Sequence, residues 1–419
     1  MGVVIVGAGR AGAKLAEALR QHGYARPITL VGEEPHLPYD RPPLSKDLLA
    51  GSARVQGVPL FDADFYARHA IALRLGVRAV EVRRSARQVR LADGTELAYE
   101  HLVLAPGLRS RPLRGFALGG RLYHLRTLDD AHALAAALRR GPRVLLVGGG
   151  LLGLEIAATA RRLGCEVSVV ERHPALLYQS VAPVVGDHVK ALHLRHGVRI
   201  LTGVTPRVLG LASAAGGDAG TAVYAELSDG ATIAADIVVA ATGSIANTEL
   251  AEACGLEVQD GIIVDAHGRT SDPAIYAVGD AARHYNALLG RTIRVESWHH
   301  AQHQSAAVAR AIAGQPQPYA EVPWFWSDQF DMNLQIAGYS SDWDRVVVRG
   351  NPAQPRFSVF YLQGQRLVAA NAVNRGRDIR SAQTWIAERT PLDAGRLADE
   401  RVELERAELS ASVPAGSGG

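Results

Sequence analysis

The chain begins with an apolar run that is followed at once by glycines. Val3 to Val6 is β-branched and predicts a buried strand, and the amphipathic run beyond it predicts a helix that stops at Gly23. Between these elements three glycines have Gly-x-Gly-x-x-Gly spacing: Gly7, Gly9 and Gly12. A second strand, Ile28 to Val31, ends at Glu33. This order of strand, glycine turn, helix and strand with a terminal acid predicts a dinucleotide-binding βαβ unit.

The same plan occurs again in the middle of the chain. An apolar run from Val144 to Val147 predicts a strand, and the helix after it extends to about Leu163. The turn between them reads Gly148, Gly149, Gly150, Leu151, Leu152, Gly153. The next strand, Val167 to Val170, ends in Glu171, roughly 20 residues after the first glycine, as a ribose-binding acid requires. Two copies of the plan predict two bound dinucleotides.

Shorter patterns complete these units and add a further domain. Hairpin strands are predicted at 79–82 and 88–91, buried strands ending in small-residue turns at 102–107, 237–243 and 274–278, and a helix at 297–313. After a linker at 314–322, strands at 333–337, 345–348, 357–361 and 366–373 and a helix at 379–388 predict an α+β domain. Small polar residues predict a flexible loop at 211–221 and disorder at 410–419. The predicted fold class is α/β, with two Rossmann-like domains and a C-terminal α+β domain.

Composition narrows the class of protein. The 419 residues are 47% hydrophobic and 21% charged, as in soluble globular proteins of two or three domains. The net charge of +3 suits an acidic partner but is too small to indicate nucleic acid, and no stretch is typical of a membrane span or a signal peptide. Cys165 and Cys254 form no Cys-x-x-Cys pair, so we expect two reduced core thiols in a cytoplasmic protein.

Two acids indicate which nucleotide is used. Glu33 and Glu171 can each accept hydrogen bonds from ribose hydroxyls. A carboxylate at Glu171 would repel the 2′-phosphate of NADPH, so the sequence favours NADH. Arg172 follows directly and could accommodate a phosphate, which leaves NADPH as the alternative.

Lysine and histidine positions suggest further chemistry. Lys46 follows a loop stiffened by Pro42 and Pro43 and precedes a short helix predicted at 47–50. Such a loop can position a side chain, although a lysine there is also typical of a protein surface. His299 and His303 lie one turn apart on a predicted helix, but no third ligand is evident, so we predict no metal site.

Four stretches resemble the flavin-dependent ferredoxin reductases of bacterial oxygenase and cytochrome P450 systems. They are Arg41-Pro42-Pro43-Leu44-Ser45-Lys46, Thr270-Ser271-Asp272-Pro273 with Gly279-Asp280, Arg294-Val295-Glu296-Ser297-Trp298, and Val322-Pro323-Trp324-Phe325-Trp326-Ser327-Asp328-Gln329. The last is the most specific, because it is not a general flavoprotein motif. The resemblance covers nearly the whole chain and implies a glutathione-reductase-like fold.

The resemblance also implies domains and cofactor contacts. An FAD-binding domain would comprise residues 1–110 and 241–317, an inserted NAD-binding domain 111–240, and a C-terminal domain 318–409. By position, the FAD contacts would be Gly7, Gly9, Ala11, Gly12, Glu33, Arg41, Lys46, Ala79, Arg126, Asp280, Trp298 and Trp326. The NADH contacts would be Gly148, Gly150, Leu151, Leu152, Gly153, Glu155, Glu171, Gly243 and Glu296.

The implied activity is that of an NADH-dependent ferredoxin–NAD(+) reductase. Flavin takes up two electrons as a hydride and can release them singly, here to a small acidic [2Fe–2S] ferredoxin that feeds an oxygenase or a cytochrome P450. Our hypothesis places Lys46 beside flavin N5, paired with Glu155, as the catalytic residues. Asp280 would contact the ribityl or phosphate region, and the helix beginning near Ser297 would direct N–H groups at the pyrimidine end. The enzyme would act as a monomer or a homodimer.

Other activities use similar folds. Rubredoxin reductases and monodehydroascorbate-type reductases differ only in the electron acceptor and stay open as alternatives. NADH oxidases, peroxidases and disulfide reductases need a reactive cysteine near the flavin, and residues 36–50 contain none. A flavoprotein used mainly for binding, like the apoptosis-inducing flavoproteins, is the alternative outside the enzymes.

Overall fold

The computed structural model describes residues 1–51, 59–113, 115–116, 118–212, 222–340 and 343–409. The chain divides into two compact units, one of Met1–Arg172 with Gly197–Glu321 and one of His173–His196 with the described part of Val322–Gly419. The disorder predicted at 410–419 and most of the loop predicted at 211–221 fall outside the described residues. Strands and helices are numbered below in chain order.

The first sheet of the first unit contains the first glycine turn. Its strands are β1 (Gly2–Val6), β2 (Ile28–Gly32), β3 (Ile71–Leu75), β4 (Ala79–Arg83), β5 (Gln88–Leu91), β6 (Glu96–Leu104) and β18 (Ile275–Ala277). Their order is β3–β2–β1–β6–β5–β4, with β18 paired to β6. Strands β3, β2, β1, β6 and β18 run parallel, whereas β4 and β5 join as an antiparallel hairpin. Every residue of β1 is buried, which explains its uninterrupted apolar run.

The second sheet repeats the parallel arrangement around the second glycine turn. Its strands are β8 (Leu122–Tyr123), β9 (Arg143–Val147), β10 (Glu166–Glu171), β11 (Arg199–Thr202) and β15 (Ile237–Ala240). All pairs are parallel, in the order β11–β10–β9–β15–β8. In both sheets the strand before the glycine turn lies between the strand that ends in the acid and the strand that ends in a small-residue turn.

Three small sheets complete the strands of this unit. They are β12 (Pro206–Ala212), β13 (Ala222–Leu227) and β14 (Thr232–Ala235); β7 (Leu108–Ser110) with β16 (Ser244–Ala246); and β17 (Ile262–Val264), β19 (Ala282–Asn286) and β20 (Arg291–Arg294). The β7–β16 pair joins the chain directly after β6 to the chain directly after β15.

Helices cover the sheets of the first unit. They are α1 (Arg10–Gln21), α2 (Ala63–Arg68), α3 (Leu128–Leu138), α4 (Leu151–Arg162), α6 (Glu249–Ala253) and α7 (Trp298–Ile312). Leu15 and Leu19 of α1 and Val308 of α7 share one buried core with β1 and β2. Helix α3 was not predicted, although a capping box formed by Thr127 and Asp130 marks its start. In the described residues no helix is long and apolar enough to cross a membrane.

The short helix predicted at 47–50 is wrong. The chain instead forms a 3₁₀ helix one step earlier, at Pro42–Ser45, and continues in turns. Pro42 and Pro43 occupy its first positions, where a fixed φ is favourable and a missing N–H costs nothing. The Lys46 N–H then donates to the carbonyl of Pro43 at 3.2 Å and closes the turn.

The second unit is an antiparallel sheet with three helices. Its strands are β21 (Trp324–Gln329), β22 (Met332–Gly338), β23 (Arg345–Gly350), β24 (Phe357–Gln363) and β25 (Arg366–Val373), in the order β21–β22–β25–β24–β23, and its helices are α5 (Pro183–Arg195), α8 (Gly376–Glu388) and α9 (Ala394–Ala398). The four predicted strands and the predicted helix are confirmed, whereas β21 and α5 were missed. Both units together confirm the predicted α/β fold class with a separate α+β region.

Candidate functional site

The two glycine turns are built in the same way. Gly7 has a φ of +118°, and a Cβ there would lie 1.9 Å from the carbonyl oxygen of Ala105. Gly148 has a φ of +115°, and a Cβ there would lie 2.2 Å from the carbonyl oxygen of Ala241. Each turn therefore packs directly against the small-residue turn that follows the neighbouring strand, and a side chain at either position would force two backbones apart.

The middle glycine of each turn faces open space. A Cβ on Gly9 or Gly150 would meet no atom within 4 Å. Their φ values are −82° and −83°, so the backbone itself does not require glycine there. Each residue is the N-cap of a 12-residue helix, α1 or α4, with no side-chain cap and no acid in the first turn. Open space before an uncompensated helix N-terminus fits the pyrophosphate of a dinucleotide.

The third glycine of each turn brings helix and strand together. A Cβ on Gly12 would lie 2.0 Å from the carbonyl oxygen of Gly7, and one on Gly153 would lie 2.3 Å from that of Gly148. The remaining residues predicted in these turns, Ala11, Leu151 and Leu152, lie in the first turns of α1 and α4.

The two predicted ribose acids occupy equivalent places in their sheets. Glu33 is exposed and follows β2 directly. Glu171 is the last residue of β10 and is only 8% exposed, and its Oε2 accepts a hydrogen bond of 2.7 Å from the N–H of Gly149. Glu171 therefore also holds the second glycine turn in place, a role that the sequence did not predict.

A buried acid connects the two nucleotide units. Glu155 on α4 is 7% exposed, and its Oε1 lies 3.1 Å from the Nζ of Lys46. The Ser45 hydroxyl donates to Oε2 of the same carboxylate at 2.5 Å, and the Thr159 hydroxyl donates to the Ser45 carbonyl at 2.8 Å. The middle of α4 thus binds the 3₁₀ turn at Pro42–Ser45 and Lys46 directly after it. The predicted pairing of Lys46 with Glu155 is present, whereas Ser45 and Thr159 were missed.

Arg126 and Asp280 form a second ion pair in this region. Arg126 Nη2 lies 3.2 Å from Asp280 Oδ2, and its Nε donates to the carbonyl of Leu108 at 3.1 Å. Burial raises the pKa of the Asp280 carboxyl, and the positive charge of Arg126 limits that rise. The sequence proposed both residues as FAD contacts but did not predict that they pair.

A third cluster joins the N-termini of α1 and α7. Asp40 Oδ1 accepts hydrogen bonds from Arg10 Nη1 at 2.5 Å and from Trp298 Nε1 at 2.8 Å. The Arg10 guanidinium also lies 3.4 Å from the centroid of the Trp298 ring, a cation–π contact. Trp298 was predicted to lie at the site, but Arg10 and Asp40 were missed, although Arg10 lies within the first glycine turn and Asp40 directly precedes the Arg41–Lys46 stretch.

The other predicted contacts lie around these clusters. Gly243, with a φ of +97°, forms the turn after β15. The adjacent Ser244 hydroxyl donates to Glu296 at 2.6 Å, and Arg294 pairs with the same carboxyl group at 2.7 Å. Arg41 lies 3.5 Å from Glu34, and Ala79 is buried at the start of β4. Trp326 belongs to the second unit, where its ring stacks on Trp324 at 5.2 Å between centroids, and its place at the flavin edge stays a prediction.

Both thiols of the chain serve the core. Cys165 is fully buried and donates to the carbonyl of Leu138, and Cys254 donates to the carbonyl of Ala251. Burial raises the pKa of both thiols, so neither is a thiolate at neutral pH. Residues 36–50, the stretch around Lys46, contain no cysteine.

Two family models match most of the chain. A model described as pyridine nucleotide-disulphide oxidoreductase matches residues 1–305, and one described as reductase C-terminal matches residues 324–408. The ferredoxin–NAD(+) reductase component of an anthranilate 1,2-dioxygenase system from Burkholderia cepacia is 46% identical over 404 residues, which are 96% of this chain and 98% of that protein. Putidaredoxin reductase from Pseudomonas putida is 40% identical over 420 residues, 98% and 99% of the two chains.

Solved structures give the same result. Putidaredoxin reductase in its covalent complex with putidaredoxin superposes with a TM-score of 0.91 at 39% identity, over 97% of each chain. The ferredoxin reductase for the CYP199A2 system from Rhodopseudomonas palustris has a TM-score of 0.92 at 38% identity, over 97% of this chain and 100% of that one. The resemblance drawn from the four sequence motifs is thus confirmed. The chain belongs to the pyridine nucleotide-disulphide oxidoreductase family, and its cofactors are FAD and NAD(H).

Proposed function

We propose that this protein is an NADH-dependent ferredoxin reductase that passes electrons one at a time to a [2Fe–2S] ferredoxin of an oxygenase or cytochrome P450 system. The observation that carries the proposal is the Lys46–Glu155 pair. This pair connects α4, the helix after the second glycine turn, to the 3₁₀ turn at Pro42–Ser45, which belongs to the first nucleotide-binding unit. A dinucleotide on each turn would then be directed toward the same place, as hydride transfer between two cofactors requires. The absence of cysteine from residues 36–50 favours this activity over disulfide reduction.

The residues of the chain have distinct roles in this proposal. Gly9 and the N-terminus of α1 bind the FAD pyrophosphate, and Gly150 and the N-terminus of α4 bind that of NADH. The bound flavin supplies the two-electron to one-electron chemistry. Lys46 lies beside the flavin ring, and Glu155 holds the Lys46 side chain in position. Asp280, whose pKa is raised by burial, can donate as well as accept a hydrogen bond toward the FAD chain when it is protonated.

The domain limits and the partner belong to the same proposal. We assign FAD to residues 1–110 and 241–317, NADH to 111–240, and the C-terminal α+β domain to 318–409. The excess of basic residues, +3 overall, favours an acidic ferredoxin. Reduced thiols and the use of NADH favour the cytoplasm. The protein would act as a monomer or a homodimer.

Anaerobic reduction followed by acceptor challenge tests this function. We expect the purified protein to be yellow, to bleach rapidly when NADH is added, and to recover its colour rapidly when an oxidised [2Fe–2S] ferredoxin is added. Rubredoxin and monodehydroascorbate, added separately, should restore the colour more slowly. If rubredoxin or monodehydroascorbate restored the colour faster than ferredoxin, it would be the electron acceptor instead. Slow bleaching without any preferred acceptor would indicate a flavoprotein used for binding.

The choice of NADH over NADPH depends on Glu171. Substitution Glu171→Gln keeps an oxygen that can accept the hydrogen bond from Gly149 but removes the negative charge. We expect the ratio of kcat/KM for NADH to that for NADPH to fall about tenfold, because the 2′-phosphate is no longer repelled. Glu171→Ala should lower this ratio as well. It should also raise the KM for NADH, because the Gly149 N–H loses its hydrogen-bond acceptor. An unchanged ratio in both variants would remove Glu171 from nucleotide selection.

A further inference from the structure

Two histidines of α7 share one carboxylate. His303 Nδ1 lies 2.8 Å from Glu321 Oε1, and His299 Nδ1 lies 3.5 Å from Glu321 Oε2. The two imidazole rings are one helical turn apart, with centroids separated by 3.9 Å. One potential ligand atom from each residue lies within 4.8 Å of the other two. This third group was not predicted because Glu321 follows His303 by 18 residues, beyond the end of α7.

The backbone holds these three side chains in place. Both histidines lie in the first turns of α7, whose N-terminus is capped by the Ser297 hydroxyl at 3.1 Å from the N–H of His300. The carbonyl of Glu321 accepts a hydrogen bond of 2.8 Å from the Nδ2 of Asn286, a residue that is 1% exposed. The donor set is therefore held in place by the N-cap of α7 and by Asn286.

We propose that His299, His303 and Glu321 form a binding site for a divalent transition-metal ion of the Zn²⁺ type. Two imidazole nitrogens and one carboxylate oxygen are a typical three-ligand set for Zn²⁺, and histidines at i and i+4 on one helix face are a typical way to supply two of them. Mg²⁺ and Ca²⁺ are not the preferred ions for this site, because both favour ligand sets made of oxygen atoms alone.

The site remains open to solvent. The side chains of His299, His303 and Glu321 are 24%, 37% and 34% exposed, so an ion could enter without unfolding, and a water molecule could occupy the fourth position. The ion would clamp the first turns of α7 to the chain segment that follows this helix. Because Trp298 is the first residue of α7, the ion would stabilise the helix end that the proposed FAD site uses, but binding of the metal itself does not rest on that function.

Calorimetric titration with Zn²⁺ tests the proposal on the full chain, without an affinity tag and after treatment with a chelator. We expect one ion per chain and a higher melting temperature when Zn²⁺ is present. His303→Gln and Glu321→Gln should each weaken binding at least about tenfold, since each removes one ligand. Titration with Mg²⁺ should give no binding at this site.

A surface histidine provides the matched control. His132 is exposed on α3, and His132→Gln should leave Zn²⁺ binding unchanged. The proposed metal site would be wrong if the natural chain did not bind Zn²⁺, or if the natural chain and all three variants bound Zn²⁺ equally well. Normal FAD content and NADH oxidation in the variants would show that a loss of binding does not come from misfolding, and a failed ferredoxin assay would leave the Zn²⁺ result unaffected.

Discussion

Replacing Lys46 with methionine is expected to slow reduction of the bound flavin by NADH about 100-fold, the size of effect that misplacing a reacting group produces. The substitution removes the positive charge that lies 3.1 Å from Glu155 and leaves an apolar chain of similar length. Stopped-flow bleaching of the flavin under anaerobic conditions measures the rate. We also expect a loss of about 2 kcal/mol in stability, because the nearly buried carboxyl group of Glu155 loses the cation that lies 3.1 Å from it.

A double variant separates the two effects. In Lys46→Met/Glu155→Gln the buried group is neutral and can still accept a hydrogen bond from Ser45, so the stability should return while the rate stays low. Lys14→Met is the matched control, because Lys14 pairs with Glu17 on α1 at 3.0 Å and takes no part in the proposed site. If the rate recovers together with the stability, Lys46 acts only through the fold. If Lys46→Met bleaches at the natural rate, its catalytic role is wrong.

Filling the open space of one glycine turn should remove one cofactor and leave the other. Gly9→Val introduces a side chain where no protein atom lies within 4 Å, at a φ that valine adopts readily. We expect the variant to fold but to purify almost colourless, with FAD affinity reduced by about 100-fold or more, equivalent to at least about 3 kcal/mol. The ratio of flavin to protein absorbance measures the loss, and circular dichroism checks the fold.

The second turn supplies the matched variant. Gly150 has the same geometry as Gly9, so Gly150→Val should retain FAD and its reduction by dithionite but lose reduction by NADH. If Gly9→Val lost only reduction by NADH and Gly150→Val lost FAD, the two cofactor assignments would be exchanged. Retention of both functions in both variants would mean that neither turn binds a pyrophosphate. Gly7→Val is not a suitable substitute, because its clash with Ala105 would disrupt the sheet itself.

Local patterns predicted the nucleotide turns well because each is encoded within a few residues. The conformation of Gly7, the approach of Gly12 and the end of β2 depend on neighbours in sequence, and the glycine spacing records them directly. Strands β22 and β23 of the antiparallel sheet were predicted for the same reason, since their buried residues alternate with more exposed ones. Helix α5 was missed because its valines and Gly186 weaken the helical pattern.

Contacts between distant segments were harder to predict. Asp40 bridges Arg10 to a tryptophan 258 residues away, and Ser45 reaches an acid 110 residues away. No spacing rule connects such pairs, and only the motif resemblance suggested that Lys46 and Glu155 meet. The hydrogen bond between Glu171 and Gly149 was not predicted, because ribose binding already explained the presence of an acid at the end of this strand.

The placement of the two thiols has a consequence for resistance to oxidants such as peroxide. Sulfenic acid forms from exposed thiolates. Cys165 and Cys254 are instead protonated, and each thiol donates a hydrogen bond to a backbone carbonyl. Because residues 36–50 contain no cysteine and both thiols are protonated, activity is expected to survive peroxide concentrations that oxidise an exposed dithiol.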